Sequence, residues 1–488
     1  VLAEKSMLAN MRQTAVAGID SSTQSCKVVV RDLETGAILR TGSAAHPPGT
    51  EVDPEAWWQA LLGAVDAAGG LDDVAAVSIA AQQHGLVALD GAGRVVRPAM
   101  LWHDTRAATA ADALIEEFGA ESLARRTGLV PVSSFTISKL RWLRDHEPEA
   151  AERVAAVALP HDWLTWRLRG FGPERPDLDE LVTDRSDASG TGYWRGSDPD
   201  SVCGDWDREL VIATLGHDVM LPRVLAPRES AGRTASHSGI PEGLVVGAGA
   251  GDNAGAALGL HLRPGDAVVS IGTSGTSFAR TEHPTVDPTG TIAGFAAADG
   301  GYLPLVATLN AARVLDTTAS LLGVDHAGLS ELALAAPSGA GGLVLQPYFA
   351  GERTPNLPDA TATMFGMTHE SATRENFARA AIEGMLCGLA EGLAALRAAG
   401  VDIERVLLIG GAAASSAVRQ VASEVIDVRV TVPNAAEYVA LGASAQAAVA
   451  LRGRAPDWRP PGAVTLPLAT RPEIQQRYRA HVPKSAED

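Results

Sequence analysis

Two short runs, IDSSTQS at 19–25 and IGTSGTS at 271–277, each put Ser, Thr or Gly residues directly after a buried apolar strand and directly before a second strand. One such turn is an ordinary hairpin. Two of them, half a chain apart, are an internal repeat, and they predict two similar domains facing each other. The turns also suit one kind of ligand. Consecutive backbone N–H groups and short hydroxyl side chains fit a polyphosphate, whose oxygens only accept hydrogen bonds and which bulky side chains would hold away. A hairpin from each half can then close on the same nucleotide. Neither GxxxxGK[ST] nor a GxGxxG after the first strand is present, which disfavours a P-loop and a dinucleotide fingerprint.

The flanking pattern is α/β. TAVAGID, CKVVVRD and AILRTGS read as a three-stranded meander separated by turns. VDPEAWWQALLGAV reads as a helix with Pro54 in its first turn, and VAAVSIAAQ as a buried strand. Helices are expected over 107–120 and 136–145, and alternation of strands and helices resumes after a turn-rich stretch at 171–210. LVVGAGAGD then opens what reads as a second half, so the main boundary is expected near 240. This gives an N-terminal extension at 1–12, lobes at 13–240 and 241–453, and a peripheral tail at 454–488.

Composition removes whole classes of partner. A net charge of -18 on 488 residues, with no basic run interleaved with aromatics, argues against nucleic acid. Cys26, Cys203 and Cys387 are too few and too far apart for a disulfide framework or a zinc site, which fits a reducing cytoplasm. No apolar stretch approaches about 18 residues and the start lacks an apolar leader core, so neither a membrane span nor secretion is expected. Gly 50 of 488 is an excess, and many of these glycines stand at strand ends.

Several polar residues fall at those same strand ends, where open α/β sheets hold ligands. Asp20 ends the first strand inside the first hairpin; a carboxylate beside phosphate calls for a divalent cation, magnesium, between them, or else it caps its own turn. Asp252 in GAGAGDNAGAALG is placed either to take a proton from an attacking alcohol or to cap a helix, and Asn253 can donate to and accept from a hydroxyl. Gln82, Gln83 and His84 form a compact donor and acceptor set for several hydroxyls, or a solvated turn. Trp102, Asp104 and Arg106 offer substrate contacts or a local salt bridge. Asp184 and Asp187 in TDRSDASGT read as turn caps or, alternatively, as residues lining a cleft, and Lys27 as a solvated strand residue. Gly410 and Gly411 leave room for a flat base or sugar between a strand and a helix, so the expected phosphate donor is ATP.

Taken in order, GIDSSTQS, EVDPEAWW, AAQQHG, LWHDTR, TDRSDASGT, GAGDNAGAALG, SIGTSGTS, QPYFAGERTP and LLIGGAAASSAVRQ closely resemble the FGGY carbohydrate kinases, over about 14 to 452. The resemblance implies two actin-like ATPase (ribonuclease H-like) lobes around a central cleft, the first mainly for sugar and the second mainly for ATP and magnesium. It implies transfer to the C5 hydroxyl of D-xylulose, with another pentulose, a polyol or a sugar acid as alternative acceptors. By the same resemblance Asp252 is the catalytic base and Asp20 the metal residue. Gln83, His84 and Asn253 belong to the sugar pocket, Gly272, Thr273, Ser274 and Gly275 to the phosphate hairpin, and Gly410, Gly411 and Ala412 to the adenosine region; the residues themselves add Trp102 and Asp104 as candidate substrate contacts and Ser22 and Thr23 as candidate phosphate contacts of the first hairpin. A homodimer is admitted. A non-enzymatic, sugar-responsive scaffold of the same fold is the contrasting expectation.

Overall fold

The computed structural model describes residues 14–196, 202–355, 357–458 and 462–482. The expected extension at 1–12 and the last residues of the tail lie outside them. Three apolar runs separated by tight turns form the opening meander: β1 (Ala15–Ser21) pairs antiparallel with β2 (Ser25–Asp32), and β2 with β3 (Ile38–Ala45). In α1 (Pro54–Ala67), Asp53 accepts from the Glu55 N–H at 3.0 Å and Pro54 takes the first turn, so Trp57, Leu61 and Val65 face the core. β4 (Val74–Ala81) is buried along its whole length and parallel to β1, as a strand covered on both faces must be.

Between β4 and the edge of this sheet come α2 (Thr136–His146), α3 (Pro160–Leu168) and the single turn α4 (Arg185–Ala188). The helix expected over 107–120 instead stops at Phe118, because Gly119 has φ +78° and a separate helix starts at Ala120. β5 (Ser230–Arg233), β6 (Val245–Gly247) and β7 (Ala250–Gly251) complete a seven-stranded sheet of order β5-β6-β4-β1-β2-β3, with β7 also beside β4. The first sheet therefore continues well past residue 240, where the sequence suggested a boundary, and α5 (Asp252–Gly259) follows directly from β7.

The second sheet repeats the plan. β8 (Gly265–Ile271), β9 (Gly275–Ala279) and β10 (Leu305–Thr308) form its meander. The long α6 (Arg374–Ala398) leads to β11 (Ile403–Ile409), parallel to β8, and α7 (Ser416–Val425) leads to β12 (Arg429–Pro433), parallel to β11. α8 (Tyr438–Arg452) then crosses back onto β1 and β4 of the first sheet. Gly18 makes room for it: a Cβ there would lie 1.9 Å from Ala440 O. Its Gln446 accepts from Ser78 Oγ at 2.6 Å and from Gly249 N at 2.9 Å, fixing the backbone just ahead of Asp252.

The tail is not peripheral. Trp458 is buried against Arg31, whose guanidinium sits 4.0 Å from the indole centroid. β13 (Ala463–Thr465) adds an antiparallel edge to β12, giving the order β10-β9-β8-β11-β12-β13, and Ile474 and Tyr478 join the second core. Among the described residues no helix is long and apolar enough to cross a membrane.

Candidate active site

The ends of β1, β4, β7, β8 and β11 converge on one cleft, which divides into three cavities. An inner one of about 300 Å³ is lined by Gln83, His84, Trp102, Asp252 and Asn253. A second, of about 560 Å³, is walled by Gly410 and Gly411 with Asp20, Ser22, Asp252 and Asn253. A third, of about 650 Å³, lies between the two hairpins and is lined by Asp20, Ser22, Thr23 and Trp102 from one side and Gly272, Thr273 and Ser274 from the other. Gly275 and Ser274 also reach the inner cavity. The hairpins are structurally alike: three residues, 22–24 and 272–274, connect β1 to β2 and β8 to β9.

Asp252 and Asn253 border both the inner and the second cavity. As the first residue of α5, Asp252 holds one carboxylate oxygen, Oδ1, against Asn253 N at 2.8 Å and Asn253 Nδ2 at 3.1 Å. Its Oδ2 has no hydrogen-bond partner among the described residues. Burial, and after it the charge of Asp20, pushes the Asp252 carboxyl up to about 7. Burial pushes Asp20 up to about 6, against the hydroxyl of Ser22 and the charge of Lys27. Lys27, read from sequence as solvated, in fact lines two of the cavities and meets Glu437 at 2.6 Å.

The inner pocket is braced from behind by α4. Gln83 Nε2 donates to Ser186 O at 3.2 Å, and Gly251 N donates to Ser186 Oγ at 3.1 Å. Asp184 caps this turn through Ser186 N and Asp187 N, as a turn-capping residue would, and Asp187 takes His161 Nδ1 at 2.7 Å. Trp102 Nε1 donates to Thr23 Oγ1 at 2.9 Å, tying the pocket wall to the first hairpin.

Two expected site residues stand elsewhere. Asp104 lines none of the three cavities: it is buried and accepts from Arg106 Nε at 2.9 Å and Arg106 N at 3.0 Å, so it braces its own loop. Ala412 is likewise absent from the cavity walls, and Ala413 and Ala414 line the second cavity in its place because residues 411–414 form a 3-10 turn. Sequence reasoning also missed residues that line the inner cavity: Phe135, Phe295 and Arg353. Arg353 reaches the third cavity as well, and its guanidinium has no acceptor or ion-pair partner among the described residues. The motif GERTP marks its place, but nothing local in that motif gives its direction.

The donor set suits a divalent cation with a polyphosphate. Three carboxylates, Asp20, Asp252 and Glu437, border the second cavity, and Lys27, the cation that eases the charge on Asp20, is already engaged by Glu437. The second cavity also leaves room for a base and sugar: Gly411 lines it, and a Cβ there would meet nothing within 4 Å.

Two sheets of one topology, each ending in a small-residue hairpin at a shared cleft, define the actin-like ATPase class. Residues 15–259 match the N-terminal domain, and residues 267–451 the C-terminal domain, of the FGGY family of carbohydrate kinases. The chain belongs to that family. It is 44% identical over 447 residues to a xylulose kinase of Streptomyces coelicolor, spanning 90% of this chain and 88% of that one. It is 45% identical to a xylulose kinase of Streptomyces rubiginosus, spanning 90% and 89%. The crystal structure of xylulose kinase from Bifidobacterium adolescentis is similar with a TM-score of 0.88 at 44% identity, covering 96% of this chain and 99% of that one.

Proposed function

We propose that this protein phosphorylates D-xylulose at its C5 hydroxyl, with ATP as donor, giving D-xylulose 5-phosphate and ADP. The observation that carries the reading is the position of Asp252, on the wall shared by the inner cavity, where a few polar groups stand among apolar side chains, and the second cavity. The xylulose kinases to which the chain is similar supply the acceptor.

The sugar occupies the inner cavity, where Gln83, His84 and Asn253 offer donors and acceptors to its hydroxyls. Asp252 Oδ1 is fixed by two N–H groups, which leaves Oδ2 to accept the proton of the C5 hydroxyl while its oxygen bonds to the γ-phosphorus and the bond to the ADP oxygen breaks. A carboxyl pushed up to about 7 is a better matched base near neutral pH than an ordinary aspartate. The hairpin N–H and hydroxyl groups of Ser22, Thr23 and Gly272–Gly275 orient the phosphates, and Gly410 and Gly411 admit the nucleoside. Asp20 would hold magnesium, which would neutralise phosphate charge. Phe135 and Phe295 give the inner cavity apolar faces.

The test is coupled ADP release with D-xylulose, L-xylulose, D-ribulose, L-ribulose, glycerol and gluconate in parallel. D-xylulose is expected to give the highest kcat/KM, and Asp252→Ala to lower it by at least about 10² while nucleotide still binds. A higher kcat/KM for another acceptor overturns the substrate assignment, and near-normal turnover by D252A overturns the role of Asp252.

A further inference from the structure

His84 lies in the wall of the inner cavity with φ +69°, one of three non-glycine residues in left-handed backbone among the described residues. For a residue with a Cβ that conformation is strained and persists only where the surroundings hold it. What holds it is on the page. The His84 carbonyl accepts from Lys139 Nζ at 2.7 Å and from Thr136 Oγ1 at 3.3 Å. The ring packs edge-on against Phe135, with centroids 5.1 Å apart, and lies 5.5 Å from Phe295 of the other sheet's half. Gly190 completes the seat, because a Cβ there would lie 2.6 Å from His84 Cε1.

The hydrogen bonds also fix the chemistry of the ring. His84 Nδ1 is 2.8 Å from Gly190 O, and since a carbonyl only accepts, Nδ1 carries the hydrogen. Burial, with the positive charge of Lys139, lowers the ring to about 3, so the imidazole is neutral. Its Nε2, without a partner among the described residues, is then a pure acceptor.

Lys139 itself is anomalous. Its side chain is fully buried on α2, and among the described residues it has no carboxylate partner; its Nζ meets only His84 O and, again at 2.7 Å, Ser134 O. Burying an amine with no carboxylate in contact is costly, and burial draws it down to about 7 against the charge of Asp104. Ser134 lines the inner and third cavities, so the two carbonyls tied by Lys139 belong to two separate walls of the acceptor site.

We propose that Lys139 is a positioning residue for the acceptor: by clamping His84 O to Ser134 O it holds the left-handed turn that aims His84 Nε2 at a hydroxyl of a neutral sugar. This deepens the proposed function and rests on it. Lys139 touches neither substrate nor nucleotide in this role: Ser134 O anchors the clamp, and the effect reaches the sugar through the His84 ring, which makes Lys139 and His84 one unit.

A double-mutant cycle with Lys139→Met and His84→Ala tests it, read as KM for the sugar, KM for ATP and kcat. K139M is expected to raise the sugar KM by about tenfold or more with the ATP KM within about twofold of wild type, and H84A/K139M to match H84A within about twofold. Multiplying effects in the double variant, or equal losses on the sugar and ATP sides, overturn the proposal. Lys139→Gln, which keeps an amide NH2 donor on a shorter, uncharged side chain, is read in the same way and should fall between wild type and K139M. Failure of K139M, K139Q and the double variant alike to fold would assign Lys139 to stability and also overturn it. The cycle uses whichever acceptor the wild type turns over best, so inactivity with D-xylulose bears on the function and additivity bears only on Lys139.

Discussion

The negative charge of Asp20 adds to burial in raising the Asp252 carboxyl to about 7. A base must be ionised to take a proton, so kcat/KM for the sugar should fall tenfold per pH unit below about 7 and level off above it. Removing the like charge with Asp20→Asn should let Asp252 ionise at lower pH. The 13C carboxyl resonance of Asp252 in the free protein reads this directly; an unchanged or higher midpoint in D20N would show that the two carboxylates are not coupled.

Asp20 has a second consequence. If it holds magnesium, Asp20→Ala should raise the magnesium concentration giving half-maximal rate by about tenfold or more, with the sugar KM measured at saturating magnesium little changed. A parallel titration of wild type and variant decides it, and superimposable magnesium curves would remove Asp20 from the metal site.

What the sequence disclosed and what it hid divide along one physical line. The hairpins at 22–24 and 272–274, the strands before them and the helix led by Asp252 are written in contiguous residues, because turn chemistry and apolar runs are local. Lys27 shows the limit: alternation with apolar neighbours says only that it faces away from one core, and its partner Glu437 comes from the far end of the chain. The boundary near 240 failed for a related reason. Residues 245–251 look like a fresh strand, but which sheet receives them is decided by pairing with Val74–Ala81, a contact between distant segments. Ile474 and Tyr478 stand four apart in a polar stretch, a helical spacing too short to stand out from solvated sequence.

The nucleotide wall offers a local test. Gly410→Ala forces a Cβ into left-handed backbone 2.4 Å from Ile271 O, the residue that precedes the second hairpin. The wall and the hairpin should shift together, so the ATP KM is expected to rise by about tenfold or more with the sugar KM held within about twofold. Initial rates with each substrate varied in turn would expose the opposite pattern, a loss confined to sugar, which would take Gly410 away from the nucleotide.

The crossing of α5 and α8 makes the last prediction. A Cβ on Gly442 would lie 1.8 Å from Gly255 O, and one on Gly259 2.0 Å from Tyr438 O, so the helices approach at a distance only glycine permits. Helix propensity favours Gly442→Ala by up to about 1 kcal/mol. Forced separation of two packed backbones costs about 1–3 kcal/mol, and it should win, because backbone atoms cannot rotate away as a side chain would. Gly388→Ala in α6 supplies the control, since the nearest atom to its Cβ is Tyr478 Oη at 3.6 Å and propensity acts there unopposed. Urea midpoints should move in opposite directions, down for G442A and up or unchanged for G388A. G442A should also lower kcat, because α5 begins at Asp252 and any displacement of that helix moves the base. Equal midpoints for the two variants would mean that α5 and α8 do not meet at their glycines.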